Sequence, residues 1–292
     1  MKYTIENEQL KITVDSLGAQ LCSVVCKKDG VEHIWEGDPA VWGRHAPILF
    51  PYTGRLPDGK FAVNGQVYEG EIHGFAGRMD HTMIRCESNL LIMQLKSSPK
   101  TLALWPFPFK LESTFLLDGD TLHHTLRVEN IGKEDLSFGI GFHPAFAVPF
   151  DKHHTYMDYE LRFEKMESPL CLSTAEGGLV GDETYYLGKN IHTIPLDEQL
   201  FASGSHLMVG LHSRTLGIYE KDSGRAVVCG IGNTPYNLIW SKPGVPRFVC
   251  IEPWQSTPSP AGGDISWENK PAAARLAPGE SYATTMSTAF VR

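Results

Sequence analysis

The chain has 292 residues, with 42% hydrophobic and 21% charged side chains, an ordinary globular composition that excludes a disordered or fibrous polymer. Lys and Arg number 26 against 34 Asp and Glu, a formal charge of −8. With that balance and no basic run, nucleic acid and anionic membrane are set aside as partners.

The N-terminus, Met1-Lys2-Tyr3-Thr4-Ile5-Glu6, has no apolar core of a secretion signal. The apolar runs are four or five residues long, against about 20 needed to span a bilayer. The expectation is a cytoplasmic protein. The six cysteines (Cys22, Cys26, Cys86, Cys171, Cys229, Cys250) are irregularly spaced, with no CxxC and no Cys/His ligand grid. They read as free thiols, and no metal site is expected from their spacing.

In chain order the dominant local signal is the strand. Leu10, Ile12 and Val14 alternate with polar neighbours. Phe61 and Val63 precede Asn64-Gly65, and Val67 and Tyr68 follow; Asn-Gly between such runs marks a hairpin because both residues tolerate positive φ. Asp118-Gly119 separates Phe115–Leu117 from Leu122, His124, Leu126 and Val128, which repeat with period two. Asp222-Ser223-Gly224 separates Gly217–Glu220 from Ala226–Cys229. Near the end, Tyr282, Thr284, Met286, Thr288 and Phe290 share one face. No segment keeps a long helical stripe, and the best helical prospect is Pro271-Ala272-Ala273-Ala274-Arg275. The 28 glycines and 19 prolines are scattered, as many turns require. The expectation is one all-β domain over residues 1–292, a large antiparallel β-sandwich of stacked sheets.

Three segments are hard to explain as plain strands: Ala46–Arg55 with Ile72–Ala76 close behind, Gly139–Phe146, and Cys250–Pro258. Each embeds an ionisable residue among apolar and aromatic ones. His143 precedes Pro144 and Glu252 precedes Pro253. The residue before proline is driven to an extended backbone, and proline cannot donate to a sheet ladder. Each side chain therefore sits where a strand ends or bends, a rigid mount for an acid or a base. Imidazole exchanges protons near neutrality, and a carboxyl among apolar groups has its pKa raised toward the working range. Phe75, Phe142, Trp240 and Trp254 offer flat faces for a sugar ring. Read singly, His143 is equally a hydrogen-bonded structural histidine, Glu252 a carboxylate at a strand end, Arg55 a solvated turn residue and His73 a turn cap. His123-His124 and His153-His154 are left as structural, since strand neighbours face opposite ways.

At these residues the sequence resembles the aldose 1-epimerase (galactose mutarotase) family, and within it the LacX-like branch. The blocks are Ala-Pro-Ile-Leu-Phe-Pro…Gly-Arg at 46–55, His-Gly-Phe-Ala at 73–76, Gly-Phe-His-Pro-Ala-Phe at 141–146 and Ile-Glu-Pro-Trp at 251–254, with Leu-Ala-Pro-Gly-Glu at 276–280. The resemblance implies the galactose mutarotase-like supersandwich and an enzyme that interconverts the α and β anomers of a free hexose. It implies His143 as general acid, Glu252 as general base, Arg55 and His73 as sugar-binding residues, and Trp240 as an aromatic beside the sugar. No cofactor is implied; the only partner is a small-molecule sugar, bound by a monomer or homodimer. Two departures bear on the substrate. The stretch 200–207, where many members carry a sugar-holding aspartate, has no acid here, leaving Ser205 or His206 as stand-ins. A glycine also precedes Arg78. The alternatives are a hexose-6-phosphate 1-epimerase, with Arg44, Arg55 and Arg78 holding the phosphate, and a non-catalytic sugar-binding module on the same fold.

Overall fold

The computed structural model describes every residue except Asn233 and Pro246. Two large antiparallel sheets dominate. One has nine strands, in the order Ile191–Pro195, Tyr159–Glu167, Thr215–Glu220, Ala226–Gly230, Ser281–Val291, Thr121–Asn130, Phe109–Asp118, Leu90–Lys96 and Thr82–Cys86. The other runs Leu179–Tyr186, Leu170–Ala175, His206–Val209, Tyr236–Trp240, Phe248–Trp254, Gly141–Phe142 and Ile48–Leu49, with Ala145–Ala147 also paired to Phe248–Trp254. The chain is all-β, a large antiparallel sandwich.

Alternation explains the nine-stranded sheet. Phe109, Leu111, Phe115 and Leu117 are buried, as are Leu122, Leu126 and Val128 on the next strand and Thr284, Met286, Thr288 and Phe290 on the third. One face of each strand thus meets the core, and the intervening residues are half-buried or exposed. The strand Phe248–Trp254 is different: all seven residues are buried. It lies inside its sheet with both faces covered, the environment in which a carboxyl group is most perturbed.

Asn64 and Gly65, at φ 49° and 80°, form the hairpin turn expected between Lys60–Val63 and Gln66–Glu69. The second hairpin differs by one residue: Asp118 pairs with Thr121, so the loop is Gly119-Asp120 rather than Asp118-Gly119. The segment 271–275 is not helical. Ala272 has φ +58°, and Ala274–Leu276 forms a strand against Leu136–Phe138; long-range pairing outweighs the helix preference of three alanines. Among the described residues the α-helix is Pro99–Leu104, six residues long, started by the Ser98 side chain accepting from the Thr101 N–H and by proline in the first turn.

Beneath the segment 50–55 lies an aromatic knot. Phe50 touches Phe75, Trp105, Phe109 and Phe138, with ring centroids 4.9–6.4 Å apart. Phe50, Trp105, Phe109 and Phe138 are fully buried. This knot fixes the backbone from which the loop carrying His73 hangs. No helix of the described residues is long and apolar enough to cross a membrane.

Candidate active site

The antiparallel register explains why His143 and Glu252 meet. Gly141 pairs with Trp254 and Ala145 with Cys250. Carried through the gap, the same register sets His143 directly across from Glu252 and Pro144 across from Ile251. Pro144 has no N–H to give, so the ladder is interrupted there. Side chains directly opposite on adjacent strands lie on the same face of the sheet. The result is His143 Nε2 standing 3.4 Å from Glu252 Oε2. Gly141 makes the approach possible, because a Cβ there would stand 2.6 Å from Trp254 Cδ1.

Glu252 has no solvent exposure and His143 8%. Neither carboxyl oxygen of Glu252 meets a partner with hydrogen-bond geometry, nor does His143 Nδ1. Burial pushes the Glu252 carboxyl well above its usual range, with the Trp254 indole N–H acting in the opposite direction. Burial pushes the His143 imidazole well below its ordinary value. Both shifts disfavour charge and so favour an uncharged pair that holds one proton between two groups.

His73 is placed by its backbone. It adopts φ +65°, a strained conformation for a non-glycine residue that persists only when its surroundings hold it. They do: its N–H donates to the Gly54 carbonyl at 2.8 Å, its carbonyl accepts from the Phe50 N–H at 3.3 Å, and Phe75 and Ala76 both donate to the Phe50 carbonyl. The ring is also fixed. Gly54 N–H donates to Nδ1 at 2.9 Å, which leaves the proton on Nε2 in the neutral ring. Burial, and then the positive charge of His143 when protonated, of Arg78 and of Arg55, keep His73 well below the usual imidazole range. His73 is therefore a neutral N–H donor near the acid–base pair, with its ring 5.4 Å from that of His143 and perpendicular to it.

These groups line one cavity of about 420 Å³, within the range of small-molecule sites. Arg55, His73, His143, Trp240 and Glu252, all singled out in the sequence, border it. Trp240 stands 5.8 Å from His143, edge to face. Trp254 also borders it, but Phe75 and Phe142 do not; they turn into the main core. Ser205 borders the cavity and His206 does not: His206 is held by the Tyr185 hydroxyl at 2.7 Å and the Leu200 carbonyl at 2.5 Å. Of the two stand-ins, only Ser205 is placed to meet a ligand.

Sequence reasoning missed Trp42. Its ring stacks on His143 at 5.0 Å and 23° and meets Trp240 edge to face at 5.4 Å. It sits in a turn, its N–H donating to the Asp38 carbonyl, and no periodicity marks it. The three arginines border the cavity too. Arg78 pairs with Glu71 at 3.0 Å and donates to the Gly74 and Ile72 carbonyls. Arg44 donates to the Gly77 carbonyl at 3.0 Å.

Residues 1–288 match the sequence model of a family described as aldose 1-epimerase. The chain belongs to the aldose 1-epimerase family. One relative, the plasmid-encoded protein LacX of Lactococcus lactis subsp. lactis, is 29% identical over 287 residues, covering 95% of each chain. Two solved structures of the family's fold resemble it closely. A galactose mutarotase related enzyme from Lactobacillus acidophilus superposes with a TM-score of 0.95 at 26% identity, covering 100% of this chain and 98% of that one. A galactose mutarotase-like protein from Lactobacillus casei gives 0.92 at 26% identity, with 99% of each covered. Family membership makes an epimerase the coarse expectation for the cavity.

Proposed function

We propose that the chain is an aldose 1-epimerase acting on a free hexose by acid–base ring opening and closure. The observation that carries this reading is the His143–Glu252 pair, one acid and one base 3.4 Å apart, both bordering one cavity. The two oxygens of a hemiacetal share one carbon, so groups serving both must border the same small region of one cavity, as these two do. In the tautomer of the one-proton pair that carries the proton on His143, the Glu252 carboxylate takes the proton of the anomeric hydroxyl while His143 gives its proton to the ring oxygen. The C1–O5 bond opens to the free aldehyde, rotation about C1–C2 presents its other face, and the reverse transfers close the opposite anomer. Protons balance: the pair starts and ends with one. The neutral His73 N–H and Arg55 hold the sugar and stabilise charge developing on oxygen, and Trp42 and Trp240 take the apolar face of the ring.

The pH dependence follows from burial. The pair works in its one-proton state. Burial delays the second proton, because His143 lies well below its ordinary 6.5. It also delays loss of the last, because Glu252 lies well above its ordinary 4.5. The acid limb of kcat/KM, which reports the free enzyme, is expected well below pH 6.5, with activity falling only on the alkaline side of Glu252's raised value. An acid limb centred near 6.5 would contradict this.

The direct test is polarimetry of freshly dissolved α-glucose and α-galactose. Equilibration faster than the spontaneous rate, abolished in His143→Asn, supports the reading. A broad panel of aldoses with no acceleration removes it, and calorimetric sugar binding without turnover favours the binding-module alternative. One observation favours a second substrate reading: of the three cavity arginines, Arg44 and Arg55 pair with no carboxylate among the described residues, leaving positive charge suited to a phosphate. A kcat/KM at least tenfold higher on glucose 6-phosphate than on glucose would move the assignment to a hexose-6-phosphate 1-epimerase.

A further inference from the structure

Cys250 lies two residues before Glu252 on the same strand, so both side chains share a face. The donor atoms of His143, Cys250 and Glu252 all lie within 4.8 Å of one another, and all three residues are buried. Chain spacing hides this set, because His143 lies more than 100 positions from Cys250 and Glu252 in sequence.

We propose that His143, Cys250 and Glu252 form a binding site for a borderline-soft divalent cation, Zn²⁺ being the best fit, and that its occupancy inhibits the enzyme. Three features carry this. The donors are one imidazole nitrogen, one sulfur and one carboxylate oxygen, a mixture that suits zinc rather than magnesium or calcium. The spacing fits: two ligands about 2.0–2.1 Å from a tetrahedral zinc stand about 3.3–3.4 Å apart, and His143 Nε2 lies 3.4 Å from Glu252 Oε2. Finally, Glu252 is fully buried with both oxygens unpartnered, so an arriving cation supplies the interaction the site lacks. His143 and Glu252 border the cavity, which gives the ion its route, and a zinc held by three protein ligands keeps a fourth position for water.

Binding displaces two protons to solvent, the thiol proton of Cys250 and the one held by the His143–Glu252 pair, and leaves no oxidation state changed. It also occupies the two atoms that exchange protons with the sugar. The inhibition rests on the epimerase reading; the site itself does not.

The test has two readouts. In a Co²⁺ titration of the full chain, a thiolate-to-cobalt charge-transfer band in the near ultraviolet is expected for the natural protein, weakened by saturating glucose. It should be absent in Cys250→Ser and in Cys250→Ala, two variants that guard against a misfolded result in one. In the mutarotation assay, Zn²⁺ is expected to inhibit at micromolar concentration, with the half-inhibitory concentration raised at least tenfold by Cys250→Ser. No band, or a band that survives both substitutions, overturns the site. A Cys250-dependent band without any mutarotation activity would keep the site and remove the epimerase reading. Equal Zn²⁺ inhibition of the natural protein and Cys250→Ser would overturn the assigned inhibition.

Discussion

Glu252→Gln is expected to lower kcat for mutarotation by about 10²–10⁴-fold, the range over which a positioned acid or base contributes. Glutamine keeps the shape of the side chain and cannot accept the anomeric proton. The same substitution is expected to leave the melting temperature unchanged or higher. Glu252 has no solvent exposure and no hydrogen-bond partner on either oxygen, so the fold gains nothing from its ability to ionise. That combination separates a functional carboxyl from a structural one. A buried glutamate holding strands together would lose stability on replacement, and activity only as a consequence. Steady-state polarimetry with calorimetric unfolding of both proteins decides it. A variant with near-natural kcat, or one that melts well below the parent, contradicts the account.

Gly74→Ala is expected to cost about 2–4 kcal/mol of stability and to weaken sugar binding. Gly74 has φ +70°, and a Cβ there would stand 2.3 Å from the Phe50 carbonyl oxygen. That atom is backbone, and it already accepts from Phe75 and Ala76. It cannot move without loosening the aromatic knot below or the loop above. The loop carries His73, so a shift there also misplaces the Nε2–H donor. Gly65→Ala is the control. Gly65 has φ +80° and nothing within 4 Å of the added methyl, so only left-handed strain applies, roughly 1–2 kcal/mol. Thermal unfolding of the two variants should place Gly74→Ala clearly below Gly65→Ala, with a raised KM for Gly74→Ala alone. Equal melting temperatures would show that the loop absorbs the methyl without strain.

Much of the fold was legible because its strands carry period-two burial. The run Thr284, Met286, Thr288, Phe290 is buried residue by residue as the alternation implies. Which strands are neighbours was not legible. Ser281–Val291 lies between Ala226–Gly230 and Thr121–Asn130, and no local pattern encodes partners so distant along the chain. The two X-Pro dipeptides drew attention to His143 and Glu252, but the broken ladder holds only at Pro144; Glu252 lies inside the strand Phe248–Trp254, whose pairing runs on through Pro253, and only the register shows the two residues opposite each other. Trp42 was invisible for the complementary reason, since it lies in a turn without periodicity. Cys250 reads in the sequence only as a free thiol at the head of the third segment, because chain spacing does not show its sulfur beside His143. The helix Pro99–Leu104 escaped because six residues are too few to show a stripe, although Ser98-Pro99 is a start signal.

The central claim is that one imidazole and one carboxyl serve the two oxygens of a single hemiacetal. A crystal structure with a bound hexose tests it most directly. The account predicts the anomeric oxygen within about 3 Å of a Glu252 carboxyl oxygen and the ring oxygen within about 3 Å of His143 Nε2, as proton transfer requires. A sugar seated in the same cavity with its anomeric carbon turned away from both groups would contradict it.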